Sequence, residues 1–192
     1  MLLFSFVLYV FVTSFTPGPN NIISMSNASR FGLKATFRFI FGVTVGFFLL
    51  MLLCSYFNLV LYQLIPKIKL ALSILGSLYM LYLAYKTAMP SGKKSANYDQ
   101  SSTFMTGLIL QFINPKGILY GITVVSAFII PFYQSGWVLT LFSLLLALVG
   151  FMSTLSWALF GALFQKFLSR HERIFNLCMG LLLVYCAFSV YL

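Results

Sequence analysis

The chain is organised around the stretch Thr16–Asn21, which reads TPGPNN and interrupts a charge-free apolar run over residues 1–29. A second interruption, Asn114–Gly117, reads NPKG within another apolar run. Proline has no amide hydrogen and clashes with the preceding helical turn, so each stretch is expected to divide a helix into two half-helices. In lipid, the freed backbone groups are tolerated only where protein or a water-filled cavity satisfies them.

The two interruptions have the same predicted depth. Gly18 lies 11 residues before Ser29, and Pro115 lies 11 residues after Phe104. At about 1.5 Å per residue, each break is about 16 Å from the basic end of its span, near the middle of a hydrocarbon core about 30 Å thick. We therefore expect the breaks to meet inside the bilayer, where Asn114 would cap the half-helix that begins at Pro115.

The composition excludes a lone soluble enzyme. Of the 192 residues, 61% are hydrophobic and only 7% are charged, whereas about 25% are charged in an ordinary soluble domain. The mean hydropathy is +1.00, and the apolar runs are continuous rather than alternating, which favours helices over a barrel. The net charge of +10 comes from short basic clusters between these runs. That pattern indicates membrane orientation rather than nucleic-acid binding.

The charge-free runs predict an all-α polytopic protein with six transmembrane helices, because a spanning helix needs about 20 apolar residues. The predicted spans are residues 2–29, 39–65, 70–88, 104–130, 136–165 and 174–192. They form one membrane domain over residues 1–192, in which a polar cytoplasmic loop, 86–103, separates the halves 1–85 and 104–192. Because each half has three spans, the halves are expected to be inverted repeats, which are common in secondary transporters.

Basic residues predict the orientation. Nine of them fall in loops on one side: Arg30, Lys34, Arg38, Lys86, Lys93, Lys94, Lys166, Arg170 and Arg173. Only Lys67 and Lys69 fall on the other side. The positive-inside rule then places both termini outside the cytoplasm of a bacterial inner membrane. The N-terminus lacks a basic region before its long apolar run, so the first segment is expected to be retained as a span.

Lys116 is the remaining basic residue, and it lies inside a span although no span contains an Asp or Glu. A lysine in mid-bilayer is costly, so it should face a polar cavity, be deprotonated or meet an anionic substrate. The alternative is that it only neutralises helix carbonyls. Helix N-termini attract a carboxylate and free carbonyls suit an ammonium, so the two breaks fit a zwitterionic amino acid. The predicted substrate-binding residues are Pro17, Gly18, Pro19, Asn20, Asn21, Asn114, Pro115 and Lys116.

Other residues carry weaker signals. The spacing of Gly42 and Gly46 predicts a close helix contact. Three aromatic residues either line a cavity or pack in the bundle: Tyr120, Trp157 and Tyr185. The three cysteines are Cys54, Cys178 and Cys186. Their spacing offers no ligand set for a metal and no adjacent redox pair, so we expect no catalytic residue, cofactor or metal. A membrane thiol-redox carrier and a structural subunit are the alternatives outside transport.

These motifs together resemble the LysE/RhtB family of bacterial amino-acid exporters, and the resemblance covers the whole chain in order. It implies a secondary transporter, not an enzyme, that exports small neutral amino acids or derivatives by alternating access, with cysteine and O-acetylserine favoured. Homoserine, threonine or leucine are alternative substrates. Many members have Asp after Pro-Gly-Pro where this chain has Asn20, which favours a neutral over a dibasic substrate. The expected partners are the substrate and the lipid bilayer, while a homo-oligomer and coupling to protons are left open.

Overall fold

The computed structural model describes residues 2–58, 74–75, 77–85, 87–88 and 103–189, which form helices joined by short turns and contain no strand. The all-α prediction is therefore confirmed for these residues. The predicted basic pair Lys67 and Lys69 lies outside them, and so does all of the predicted loop 86–103 except residues 87, 88 and 103.

The first apolar run forms two helices separated by a break. Helix α1 spans Leu2–Phe15 and helix α2 spans Pro19–Phe31. Helical hydrogen bonding resumes where the Ile22 amide donates to the Gly18 carbonyl at 2.9 Å. Helix α2 ends at Gly32, whose φ of 82° lies in the left-handed region that favours glycine. The break thus occurs where the prolines predict it.

Helix α3 spans Leu33–Tyr56 and is long and apolar enough to cross a membrane. Its 24 residues measure about 36 Å at about 1.5 Å per residue, compared with a hydrocarbon core of about 30 Å. It begins earlier than the predicted span because Lys34 and Arg38 join its first turns, where both are exposed. Their long apolar stems allow the charged groups to reach the membrane surface.

The second interrupted run forms α4 over Phe104–Ile113 and α5 over Pro115–Val124. Helix α5 continues directly as a π-helical turn over Val125–Ile129. The two parts on either side of Asn114 are bent by 64°. This break also occurs at the predicted proline.

Residues 74–75, 77–85 and 87–88 are also helical. Three helices follow the second interrupted run: α6 over Gly136–Leu163, α7 over Gln165–Arg170 and α8 over Glu172–Ser189. The sequence predicts a polar loop from Lys166, and the short helix α7 corrects this, because glutamine, lysine and arginine are good helix formers. Within the described residues, two helices are long and apolar enough to cross a membrane, or three when the bent pair counts as one span.

The surface of the bundle is apolar and part of its interior is polar. Trp137, Leu163 and Leu141 are 80%, 79% and 60% exposed, and a soluble protein does not leave such extensive apolar surface in water. Helix α2 shows the opposite character, because its polar residues are buried: Asn21, Ser24, Ser26, Asn27 and Ser29. Together with the long apolar helices, this arrangement is that of a membrane protein.

On the side of the breaks that contains the C-terminal end of α2, helix backbones are in contact at glycines. A Cβ on Gly42 would collide with the carbonyl of Phe104, and a Cβ on Gly46 would lie 2.7 Å from the carbonyl oxygen of Leu108. The predicted close contact at these glycines is therefore confirmed, with α4 as the partner. The sequence analysis did not identify Gly161, which lies against the Met25 carbonyl of α2.

On the other side of the breaks, aromatic rings fill the interior. The ring centroids of Tyr9 and Tyr120 are 5.8 Å apart and stacked, and those of Phe47 and Tyr120 are 5.7 Å apart. Phe128 lies 5.7 Å from Tyr9 and 5.9 Å from Phe6. Rings that meet in this way pack without the direct backbone contact that glycines allow.

Candidate functional site

Lys116 joins the two helix breaks. Its ammonium group donates to the Thr16 carbonyl at 3.2 Å, the Thr16 hydroxyl at 3.0 Å and the Pro17 carbonyl at 3.1 Å. A lysine ammonium has three donors, so these acceptors can satisfy all of them. The break after α1 and the first turn of α5 therefore lie side by side. In this conformation Lys116 neutralises helix carbonyls, one of the alternatives that the sequence left open.

Other carbonyls in the last turn of α1 are satisfied by side chains from α2 and α6. The side-chain amide of Asn21 donates to the Ser14 carbonyl at 2.9 Å and to the Thr16 carbonyl at 3.1 Å. The Ser153 hydroxyl donates to the same Ser14 carbonyl at 2.7 Å. The free carbonyls expected at this helix end are therefore already hydrogen-bonded within the protein.

The same holds for the carbonyl of Phe15, which accepts a hydrogen bond from the indole of Trp157 at 3.2 Å. Trp157 thus supports the break instead of lining the cavity. Tyr185, the third aromatic residue that the sequence singled out, is 63% exposed and faces away from the interior.

The two half-helices that begin at the breaks are capped differently. Asn114 caps α5, because its side-chain oxygen accepts a hydrogen bond from the Lys116 amide at 3.1 Å. Helix α2 has extended Gly18 at its N-cap and no side-chain cap. Since glycine has no side-chain oxygen, the first amide groups of α2 are left for another acceptor.

A cavity of about 530 Å³, part of it open to solvent, adjoins the N-terminus of α2. Its polar lining comes from several helices: Thr13, Ser14, Asn20, Asn21, Thr44, Asn114, Lys116, Tyr120, Ser153 and Thr154. The lining contains no carboxylate. The cavity can therefore offer many neutral hydrogen-bonding groups and one cation to a small polar molecule.

Tyr120 is the clearest sign of an unfilled polar requirement in this cavity. Its side chain is only 5% exposed, and its hydroxyl lies near the Ser14 side chain but forms no well-aligned hydrogen bond within the described residues. Leaving a buried hydroxyl unpaired costs about 1–3 kcal/mol. A ligand or water in the cavity would supply the missing partner.

The sequence-predicted residues fall into two groups around this cavity. Six of them line it: Gly18, Pro19, Asn20, Asn21, Asn114 and Lys116. Pro17 contributes its carbonyl to Lys116 and does not line the cavity. Pro115 is buried at the start of α5. That these eight residues bind the substrate stays a prediction.

Gln111 was missed by the sequence analysis. It is fully buried in α4 and forms two hydrogen bonds of 3.1 Å with the side chain of Asn20, one in each direction. The sequence feature that could have identified Gln111 is its amide side chain within an apolar run, one turn before the Asn114 break. This amide pair connects α2 to α4 directly beside the cavity.

The remaining candidate groups lie elsewhere. Cys54 and Cys186 are buried, Cys178 is exposed, and none of the three forms a disulfide. The Cys186 thiol lies 3.9 Å from the Pro17 carbonyl, beside the first break. His171 is exposed on a turn. No cluster of three metal-ligating side chains occurs among the residues that the structure describes.

Comparisons with known proteins agree with this picture. A family model described as LysE type translocator matches residues 11–192. The chain is 38% identical over 191 residues to the cysteine/O-acetylserine efflux protein of Escherichia coli strain K12, an alignment that covers 99% of this chain and 97% of that protein. A protein of the same name from Shigella flexneri is 38% identical over 192 residues, covering 100% and 98%. No solved structure matches the chain.

Proposed function

Because this chain belongs to the LysE-type translocator family, we propose that it exports small neutral amino acids or their derivatives, with cysteine and O-acetylserine as the favoured substrates. The relatives from Escherichia coli and Shigella flexneri carry the name of that activity. The structural observation that supports it most is the uncapped N-terminus of α2, which opens into a polar cavity beside Lys116.

In this proposal the substrate carboxylate binds at the N-terminus of α2. The backbone N–H groups of Asn20 and Asn21 lie in the first turn of α2, where the helix dipole favours an anion. The unpartnered hydroxyl of Tyr120 in the same cavity supplies a further donor. Lys116 would exchange one of its carbonyl contacts for the carboxylate, so that binding and release act on the hydrogen bonds that join the two breaks.

The ammonium and side chain of the substrate would contact neutral oxygens. The hydroxyls of Ser14 and Thr154 line the cavity together with the amides of Asn20 and Asn114. A second cationic group would find no carboxylate there, which disfavours dibasic amino acids. The thiol of cysteine and the ester of O-acetylserine are short enough to lie against the apolar part of the lining, which includes Phe47.

The proposed architecture is six spans in the bacterial inner membrane, arranged as two inverted three-helix repeats with both termini outside the cytoplasm. The pairs α1–α2 and α4–α5 would be the corresponding broken spans, which supports a site at the repeat interface.

A proton-coupled cycle would have to use Lys116, Asp99 or the substrate itself, because no span contains an acidic residue. The subunit number in nanodiscs tests whether the chain forms a homo-oligomer.

Export from loaded proteoliposomes tests the function. Vesicles containing the purified chain are filled with labelled cysteine, O-acetylserine, homoserine, leucine or lysine, and protein-free vesicles are the control. We expect faster efflux of cysteine and O-acetylserine than of leucine, and efflux of lysine at the control rate. Efflux of every amino acid at the control rate would refute the export function.

A reporter fused to the C-terminus tests the orientation separately. A periplasm-dependent enzyme attached after Leu192 is expected to be active, and one that works only in the cytoplasm is expected to be inactive. The reverse pattern would overturn the proposed topology and leave the export function standing.

A further inference from the structure

One face of α2 is polar from the cavity to its far end. Asn20, Ser24 and Asn27 are four and three residues apart, a spacing that places them on the same side of a helix. Asn20 lines the cavity, while Ser24 and Asn27 are 0% and 4% exposed. The polar face therefore continues from the cavity into the interior of the bundle.

The hydrogen bonds of Asn20 show which neighbours this face meets. Its amide pairs with Gln111 of α4, and α4 packs closely on α3 through Gly42 and Gly46. We call the polar face of α2, together with its hydrogen-bonded partner Gln111, the α2 seam. Its members with polar side chains are Asn20, Ser24, Asn27 and Gln111.

Ser24 is the unexplained member of the α2 seam. Its hydroxyl is fully buried and has no hydrogen-bond partner within the described residues. A serine in a helix can commonly satisfy itself by donating to the carbonyl four residues earlier, and Ser24 does not. An apolar residue would fill this position without leaving a polar group unpaired. The hydroxyl therefore indicates a conformation in which something polar reaches it.

We propose that the α2 seam is the closed form of the passage between the cavity and the C-terminal end of α2, and that Ser24 and Asn27 bind the zwitterionic substrate as it passes. The proposal rests on the export function above. A zwitterion needs both donors and acceptors along its path, and hydroxyl and amide groups supply both. The seam is closed in the described conformation, where Ser24, Asn27 and Gln111 are buried.

Thiol labelling during turnover tests the passage. Cys54, Cys178 and Cys186 are first replaced by serine, and export of O-acetylserine by this parent is measured. Ser24→Cys is then compared with Ser26→Cys, because Ser26 is also buried but lies about 200° around the same helix. O-acetylserine replaces cysteine as the substrate because cysteine would consume the charged methanethiosulfonate reagent.

We expect Ser24→Cys to be labelled at least about tenfold faster than Ser26→Cys, since labelling requires access of the reagent to the thiol. O-acetylserine should change the rate for Ser24→Cys only. Equal labelling of both variants, or none, in protein that still exports would overturn the passage and leave the export function intact. If the cysteine-free parent does not export although the unmodified chain does, the labelling is repeated in a parent that retains Cys186.

Ser24→Ala provides a second test that does not depend on a new thiol. Removing an unpartnered buried hydroxyl should leave the thermal unfolding temperature unchanged or raise it. If the hydroxyl serves the substrate, export should nevertheless fall about threefold to tenfold. Ser26→Ala is the matched control. Export by Ser24→Ala at the parent rate would show that the hydroxyl does not contact the substrate and would overturn the proposal.

Discussion

The two helix breaks begin from similar sequences but end in different chemistry. At the second break, Asn114 caps α5 with its own side chain, so the N-terminus is satisfied within the helix. At the first break, the carbonyls of α1 are satisfied by other parts of the chain, and the N-terminus of α2 has no side-chain cap. We propose that the two breaks have a division of labour: the first provides the helix N-terminus that binds the substrate, and the second provides the lysine that reaches it.

Replacing Lys116 should have the largest effect, because it removes the link between the breaks. In Lys116→Met, the Thr16 and Pro17 carbonyls lose a charged donor, so we expect a loss of about 2–3 kcal/mol in stability. Export of O-acetylserine should fall at least about 100-fold. Efflux from proteoliposomes and thermal unfolding in detergent measure the two effects.

The control for Lys116 is Lys34→Met, which changes an exposed lysine at the start of α3. It should retain export and stability. Full export by Lys116→Met would show that the breaks work without their connecting cation, and the proposed division of labour would then be wrong.

Giving the first break a cap like that of the second should have the next largest effect. Gly18→Ser places a side-chain oxygen at the N-cap of α2, where it would compete with the substrate carboxylate for the free amides. We expect the KM for O-acetylserine to rise about fivefold to tenfold, in line with a cap of about 1 kcal/mol. Concentration-dependent efflux provides the measurement.

Gly18→Ala separates capping from crowding. A Cβ at Gly18 would lie 3.1 Å from the Lys116 ammonium nitrogen, so both variants disturb the lysine, but only serine can cap. An equal rise in KM for the two variants would mean that crowding explains the effect and that the amides of α2 are not the carboxylate site.

Removing the cap of the second break should mainly affect stability. Asn114→Ala leaves the Lys116 amide without its side-chain acceptor, and we expect a loss of about 1 kcal/mol. Asn114→Ser retains a capping oxygen and should recover most of this loss. Thermal unfolding of the two variants side by side measures the difference. If serine behaves like alanine, Asn114 acts through the cavity and not as a cap.

The smallest effect should come from the pair that connects the first break to α4. In a double-mutant cycle with Asn20→Ala and Gln111→Ala, we expect a coupling energy of about 0.6 kcal/mol, the average for hydrogen bonds between membrane helices. Unfolding of the single and double variants measures it. A coupling energy of zero would mean that the two side chains contribute independently.

The positions of both breaks could be predicted from the sequence because proline acts locally: it removes an amide and obstructs the preceding turn. The cap by Asn114 was predictable for the same reason. The partners of the α1 carbonyls were not, because Ser153 and Trp157 are 139 and 142 residues away from the carbonyls that they bond. Such contacts depend on how α6 packs against α1, which no local pattern specifies.

The glycines show the same limit. The spacing of Gly42 and Gly46 predicted a close contact, since it brings two small residues to one helix face. It could not identify Phe104 as the partner. Gly161 has no such spacing and was missed, although it allows an equally close approach to Met25.

The hydrogen-bonded carbonyls of α1 have a consequence for ions. Unwound backbone carbonyls in mid-membrane are ligands that Na⁺ and K⁺ accept in place of their hydration shell. Here the ammonium of Lys116 already occupies the Thr16 and Pro17 carbonyls. A metal cation would have to displace a charge of its own sign. The empty carrier is therefore expected not to conduct Na⁺ or K⁺ at this site, and a membrane could contain many copies without losing its ion gradients.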